Sequence, residues 1–156
     1  MKLNRMIQMT IEVEIQKASS SSTVPSDLKF RQWAATALHG FGDAELVVRI
    51  VDRDESQQLN ARFRSGETAT NVLSFPAELP EEVDLPLLGD VVICAPLVEQ
   101  EAQEQNKLPE SHWAHLTIHG ILHLLGYDHQ TDEEATRMES LEISLLQSLD
   151  FRDPYN

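Results

Sequence analysis

Ile7, Met9, Ile11, Val13 and Ile15 alternate with Gln8, Thr10, Glu12, Glu14 and Gln16. That period of two predicts a first strand with one buried and one wet face. After a small polar loop from Ala18 to Ser22, Pro25 is expected in the first turn of a helix. There Phe30, Trp33, Ala34, Ala37 and Leu38 recur at helical spacing until Gly40 and Gly42 stop it. Glu45 to Val51 reads as a second strand, and Asp54 as the N-cap of a short helix carrying Leu59 and Phe63 and ending near Arg62 and Arg64. Thr70 to Phe75 reads as a short edge strand ended by Pro76. From Ala77 to Leu88 prolines and acids without periodicity predict a long irregular loop. Gly89 to Ala95 gives a fourth strand, and Pro96 opens a helix running toward Asn106. Pro109 starts a helix with apolar residues on most sides, and Thr131 or Asp132 caps a last one bearing Met138, Leu141, Ile143, Leu145, Leu146 and Leu149.

Early alternation of strands and helices followed by a run of helices predicts a mixed α/β fold of α+β character, with about four strands packed by about five helices. At 156 residues and 41% hydrophobic content, a single domain over residues 1–156 is expected. No run of about 20 apolar residues could span a bilayer, and no apolar core of a secretory leader follows Lys2 and Arg5. The expected location is cytoplasmic, with no membrane partner. Cys94 is the only cysteine, which excludes a disulfide framework and a multi-thiolate metal cluster. Its apolar neighbours mark it as a buried core thiol. The net charge of −14 opposes non-specific binding to nucleic acid, and no DNA partner is expected.

One stretch carries candidate chemistry. His119 to His129 holds three of the six histidines in the pattern H-x-x-x-H-x-x-G-x-x-H. Residues four apart on a helix project from one face, so His119 and His123 can converge on one ion. Gly126 suits the left-handed position that ends a helix and turns His129 back toward them. Three nitrogens leave a fourth position open, as in a catalytic zinc site. A chance match to this pattern has odds on the order of one in a few thousand. The metal site is thus expected on a central helix and the turn after it. His115, one turn before His119, reads as a core residue or one that orients a ligand, and His39 as a surface residue. The spacing also matches the H-E-x-x-H-x-x-G-x-x-H of metallopeptidases, but Gly120 stands where their glutamate base would be.

The segment His119-Gly120-Ile121-Leu122-His123-Leu124-Leu125-Gly126-Tyr127-Asp128-His129 resembles the signature of the YbeY family of endoribonucleases, the rRNA maturation factors. Leu59 to Arg64 with Thr70 to Pro76, and Leu88 to Ile93, are similar to two further blocks of that family. The resemblance implies a single-domain metallohydrolase that cuts single-stranded RNA. It also implies a role in maturing the 3' end of small-subunit rRNA and in ribosome quality control. By position, His119, His123 and His129 match the metal ligands, with one Zn2+ as the usual ion, and Arg64 matches a functionally important arginine. Arg62 has the weaker claim. The implied partners are the rRNA precursor, the small ribosomal subunit and its assembly factors.

A mechanism consistent with both readings has Arg64 holding a phosphate beside a metal that activates water or polarises a phosphodiester oxygen. Asp128 is open to two readings, a general base or a turn carboxylate. Arg49, Arg53, Arg62 and Arg64 lie within sixteen positions and suggest a local basic groove. Two other functions compete: a metallopeptidase-like hydrolase, and a non-catalytic assembly factor stabilised by structural zinc.

Overall fold

The computed structural model describes residues 10–156, so the expected strand positions Ile7 and Met9 lie outside the described residues. Strand β1 (Ile11–Ala18), helix α1 (Asp27–Ala37), strand β2 (Ala44–Val51) and helix α2 (Arg53–Arg64) come first. Strands β3 (Val72–Pro76) and β4 (Leu87–Cys94) follow, then helices α3 (Ala95–Glu104), α4 (Pro109–Leu124) and α5 (Asp132–Ser148). The four strands form one mixed sheet in the order β1-β2-β4-β3. β1, β2 and β4 run parallel, and β3 pairs antiparallel to β4 at the edge, with Val72 opposite Ile93 and Phe75 opposite Asp90. The expected class, strand number and helix number are those found among the described residues.

Alternation along β4 divides the interior in two, because successive side chains point to opposite faces. Val91 and Ile93 enter the main core with Val48, Ile50, Phe30, Trp113, Ile118 and Leu122. Val92 and Cys94 face a smaller cluster with Val51 and Leu73, against which Leu59 and Leu97 pack. Cys94 is buried, as its neighbours predicted. In the main core Phe30 meets Trp33 edge-on at 5.4 Å and Trp113 at 5.9 Å, which fastens α1 to α4.

Several element ends differ from expectation for local reasons. Ser26 is the N-cap of α1, its hydroxyl accepting from the Lys29 N–H, so Pro25 stands outside the first turn. Asp52 rather than Asp54 precedes α2, and its carboxylate is held by the Ser19 and Ser20 hydroxyls instead of capping the helix. Of the two capping candidates for α5, Thr131 is the cap, in a reciprocal box with Glu134.

Helix α4 is buried on nearly every side, and Gly120 lets it lie directly on the sheet. A Cβ at Gly120 would stand 2.5 Å from Val91 Cγ1 and 3.2 Å from Val72 Cγ2. Across this close approach the Ser74 hydroxyl of β3 donates to the Gly120 carbonyl at 2.8 Å. The C-terminal half of α4 is therefore held beside the edge strand.

Candidate metal centre

Helix α4 ends in a Schellman turn. The Gly126 N–H bonds the His123 carbonyl and the Tyr127 N–H bonds the Leu122 carbonyl, both at 3.0 Å. Gly126 takes φ +101°, which a side chain would strain. The turn returns the chain over the helix end and brings His129 against His119 and His123. Ring centroids are 4.6 Å apart for His119–His123, 5.0 Å for His123–His129 and 5.7 Å for His119–His129. Each of the three offers a nitrogen within 4.8 Å of the others.

The donor atoms fit a cation. Two imidazoles bound to one zinc at about 2.0–2.1 Å in a tetrahedron have nitrogens roughly 3.3 Å apart. His119 Nε2 and His123 Nε2 are 3.1 Å apart. The other nitrogen of His119 is already engaged: Nδ1 lies 2.7 Å from Glu142 Oε2. An ionised carboxylate only accepts, so Nδ1 carries the proton and Nε2 presents its lone pair to His123. Burial holds the His123 pKa below the usual imidazole range, and the neighbouring His119 and His129 push it the same way. His123 thereby favours the neutral form that binds metals.

His115, His119 and Glu142 also come within ligand distance of one another. Their contacts are those of hydrogen bonds, since His115 Nε2 is 2.7 Å from Glu142 Oε1 and that oxygen also accepts from the Tyr155 hydroxyl. Glu142 is fully buried on α5. Burial alone would raise its pKa, but the hydrogen bonds from His115, His119 and Tyr155 lower it to about 2. His112 is likewise spoken for, with Nε2 2.8 Å from Glu101 Oε1. His39 is exposed, as expected.

The three converging histidines open onto a groove of about 660 Å³ whose other wall is β3 and the end of α2. Arg64 lines it, its guanidinium 5.1 Å from the Phe75 ring centroid and donating to the Ser74 carbonyl. Arg62 does not line the groove and sits over Phe63. Asp128 is the one carboxylate lining it among the described residues, and its Oδ1 accepts from the His129 N–H at 2.8 Å. The expected four-arginine groove does not form. Arg49 is clasped by Glu55 at 2.6 and 3.0 Å and by Gln16, and Arg53 bonds Gln100.

The peptidase comparison fails for a spatial reason as well as a chemical one. Position 120 faces Val91, Val72 and Ser74 on the sheet, where a glutamate side chain has no room.

Sequence reasoning missed Glu142 and Tyr155. The signal for Glu142 was present: Met138, Glu142 and Leu146 are four apart, so a carboxylate sits in the buried stripe of α5. Tyr155 lies beyond the last helix, and no local pattern links it to His115.

Two comparisons bear on identity. The chain is 27% identical to TM1509 from Thermotoga maritima, whose solution structure matches with a TM-score of 0.56 over 91% of this chain and 99% of that one. A family model described as Endoribonuclease YbeY matches residues 8–150, a span that includes all four strands, Arg64, the histidine turn and Glu142. On that match, the chain belongs to the YbeY endoribonuclease family.

Proposed function

We propose that this protein is a single-domain, metal-dependent endoribonuclease that cuts single-stranded RNA during maturation of the small-subunit rRNA 3' end, and that it also serves ribosome quality control. Family membership supports an endoribonuclease role in rRNA processing. The observation that carries the metal-dependent reading is one groove lined both by three converging imidazoles and by an arginine that no carboxylate neutralises among the described residues.

His119, His123 and His129 would hold one ion, with Zn2+ favoured by an all-imidazole donor set that leaves a position open. When bound, such an ion lowers the pKa of water toward about 7 and stabilises negative charge on a phosphoryl oxygen. Arg64 would bind a non-bridging phosphate oxygen beside that position. Its stacking on Phe75 and its bond to the Ser74 carbonyl limit the orientations the guanidinium can take. Charge-assisted donors held in place before reaction stabilise the charge that develops on the phosphate. Asp128 Oδ1 fixes the turn through the His129 N–H, which leaves Oδ2 as the atom to exchange a proton.

The acidic chain and the acid-poor groove argue for modest intrinsic affinity for RNA. The small subunit and its assembly factors would supply recognition, in the cytoplasm. No described helix is long and apolar enough to cross a membrane.

The test compares wild type with Arg64→Ala and His123→Ala, measuring bound metal and cleavage of a small-subunit rRNA precursor. His123→Ala should lose both metal and cleavage. Arg64→Ala should keep the metal and cut about 100- to 1,000-fold more slowly. Equal cutting by all three would reveal a contaminating nuclease and remove the assignment. Full rRNA processing in cells by a folded His119→Ala variant would instead favour the non-catalytic assembly factor.

A further inference from the structure

Glu142 is the one fully buried carboxylate among the described residues. It sits on α5, thirteen residues beyond the last histidine of the signature stretch, and reaches His119 through packing rather than through sequence. Both oxygens are used. Oε2 faces His119 Nδ1 at 2.7 Å, and Oε1 faces His115 Nε2 at 2.7 Å and the Tyr155 hydroxyl. The carboxylate is therefore held from a second direction, by groups that do not line the histidine groove.

Burying a carboxylate is costly unless it is fully hydrogen-bonded, and apolar residues one turn away on either side, Met138 and Leu146, surround it. A leucine at this position would pack as its neighbours do. What only the carboxylate supplies is an acceptor for the His119 Nδ1 proton. That acceptor sets which nitrogen of His119 faces His123, and it fixes the plane of the ring.

We infer that Glu142 is a positioning residue for the metal centre: it holds His119 in the Nδ1–H tautomer with Nε2 directed at the shared site, and His115 and Tyr155 hold Glu142. This rests on the metal reading of His119, His123 and His129. Outer partners of metal-bound histidines typically contribute about 10- to 100-fold in metal affinity. Tyr155 and His115 act one step further out. Losing the Tyr155 hydroxyl leaves both imidazole bonds to Glu142 in place, so its effect should be smaller.

The experiment uses the full chain and Co2+ or Zn2+ as the probe. Affinity is measured by competition with a chromophoric chelator, and the visible Co2+ spectrum reports ligand geometry. Glu142→Gln should bind about 10- to 100-fold more weakly than wild type, with an altered Co2+ spectrum. Tyr155→Phe should lose about 3-fold or less, and Met138→Ala, which removes packing one turn away, should bind as wild type does. If wild type binds no metal, the metal reading itself fails. If wild type binds and a folded Glu142→Gln binds equally with an unchanged spectrum, the positioning role is overturned while the metal reading stands. Should Glu142→Gln not fold, ring-nitrogen NMR of metal-free wild type decides instead. A His119 proton on Nδ1 supports the role, and a proton on Nε2 overturns it.

Discussion

Helix α4 carries four histidines, and its two halves use them in opposite ways. His112 and His115, in the first half, are buried and each spends Nε2 on a carboxylate, Glu101 or Glu142. His119 and His123, in the second half, turn Nε2 toward each other and toward His129 on a groove. Residue type and helix are the same. The difference lies in which nitrogen a carboxylate takes: at Nε2 it closes His112 and His115, whereas at Nδ1 of His119 it leaves Nε2 facing the groove beside a sharp turn.

The largest expected effect tests that division directly. His129→Ala should weaken metal binding by about 100- to 1,000-fold, one ligand's share of a typical zinc-site energy. His112→Ala should leave metal affinity unchanged and instead cost about 2–4 kcal/mol of folding stability, from the cavity left in the helix and the lost bond to Glu101. Chelator competition and urea unfolding on both variants give the answer. Metal loss in His112→Ala with stability intact would erase the distinction between the halves.

The second test attacks the carboxylate that both halves share, at Nε2 of His115 and Nδ1 of His119. Glu142 has a folded pKa of about 2 against an ordinary value of 4.5. A carboxylate whose pKa is depressed by folding contributes stability that is fully present above the ordinary value and is lost as pH falls through the folded one. Metal-free wild type should therefore lose stability on the order of 3 kcal/mol between about pH 5 and pH 2 from this group. Glu142→Gln should show a flatter profile over the same window in thermal unfolding. Parallel profiles would mean that the three hydrogen bonds do not hold the ionised form.

Much of this is legible in the sequence. The strands, the helix carrying the site, its glycine stop and the three converging histidines follow from periodicity and spacing, because each depends on residues within a few positions of one another. What escaped was long-range. The Glu101–His112 bond spans 11 positions, Glu142–His115 spans 27 and Tyr155–His115 spans 40. The arginines were misjudged for the same reason. Their closeness in sequence suggested a common groove, yet Arg49 bonds Gln16, 33 positions back, as well as Glu55 across the turn from β2 into α2, and Arg53 bonds Gln100, 47 positions on.

Gly120 joins the two halves, and its substitution should move both slightly. Gly120→Ala places a Cβ 2.5 Å from Val91 Cγ1, far inside van der Waals contact, so the helix, the sheet or the Val91 side chain must shift to admit it. Overpacking of this kind costs about 1–3 kcal/mol. Pairing it with Val91→Ala makes room, and recovery of stability in urea unfolding would assign the cost to that contact. A double variant no better than the single one would place the cost elsewhere.

The smallest effects extend the same lesson from histidine to arginine. Arg49 and Arg64 carry the same charge, but Arg49 is clasped by Glu55 and Gln16, whereas Arg64 faces the groove. Binding of single-stranded RNA releases counterions only where an uncompensated cation meets a phosphate, at about 0.7 per contact on a log–log plot against salt. With Arg64 as the principal contact and a second from a bound ion, the slope should be shallow, about −1 to −2. Arg64→Gln should make it shallower by about 0.7, and Arg49→Gln should leave it unchanged. A steep wild-type slope that flattens with Arg49→Gln would mean that RNA displaces Glu55 and that the four-arginine surface forms on binding. A contact that looks closed would then be a switch, and the division between closed and open side chains would hold only for the free protein.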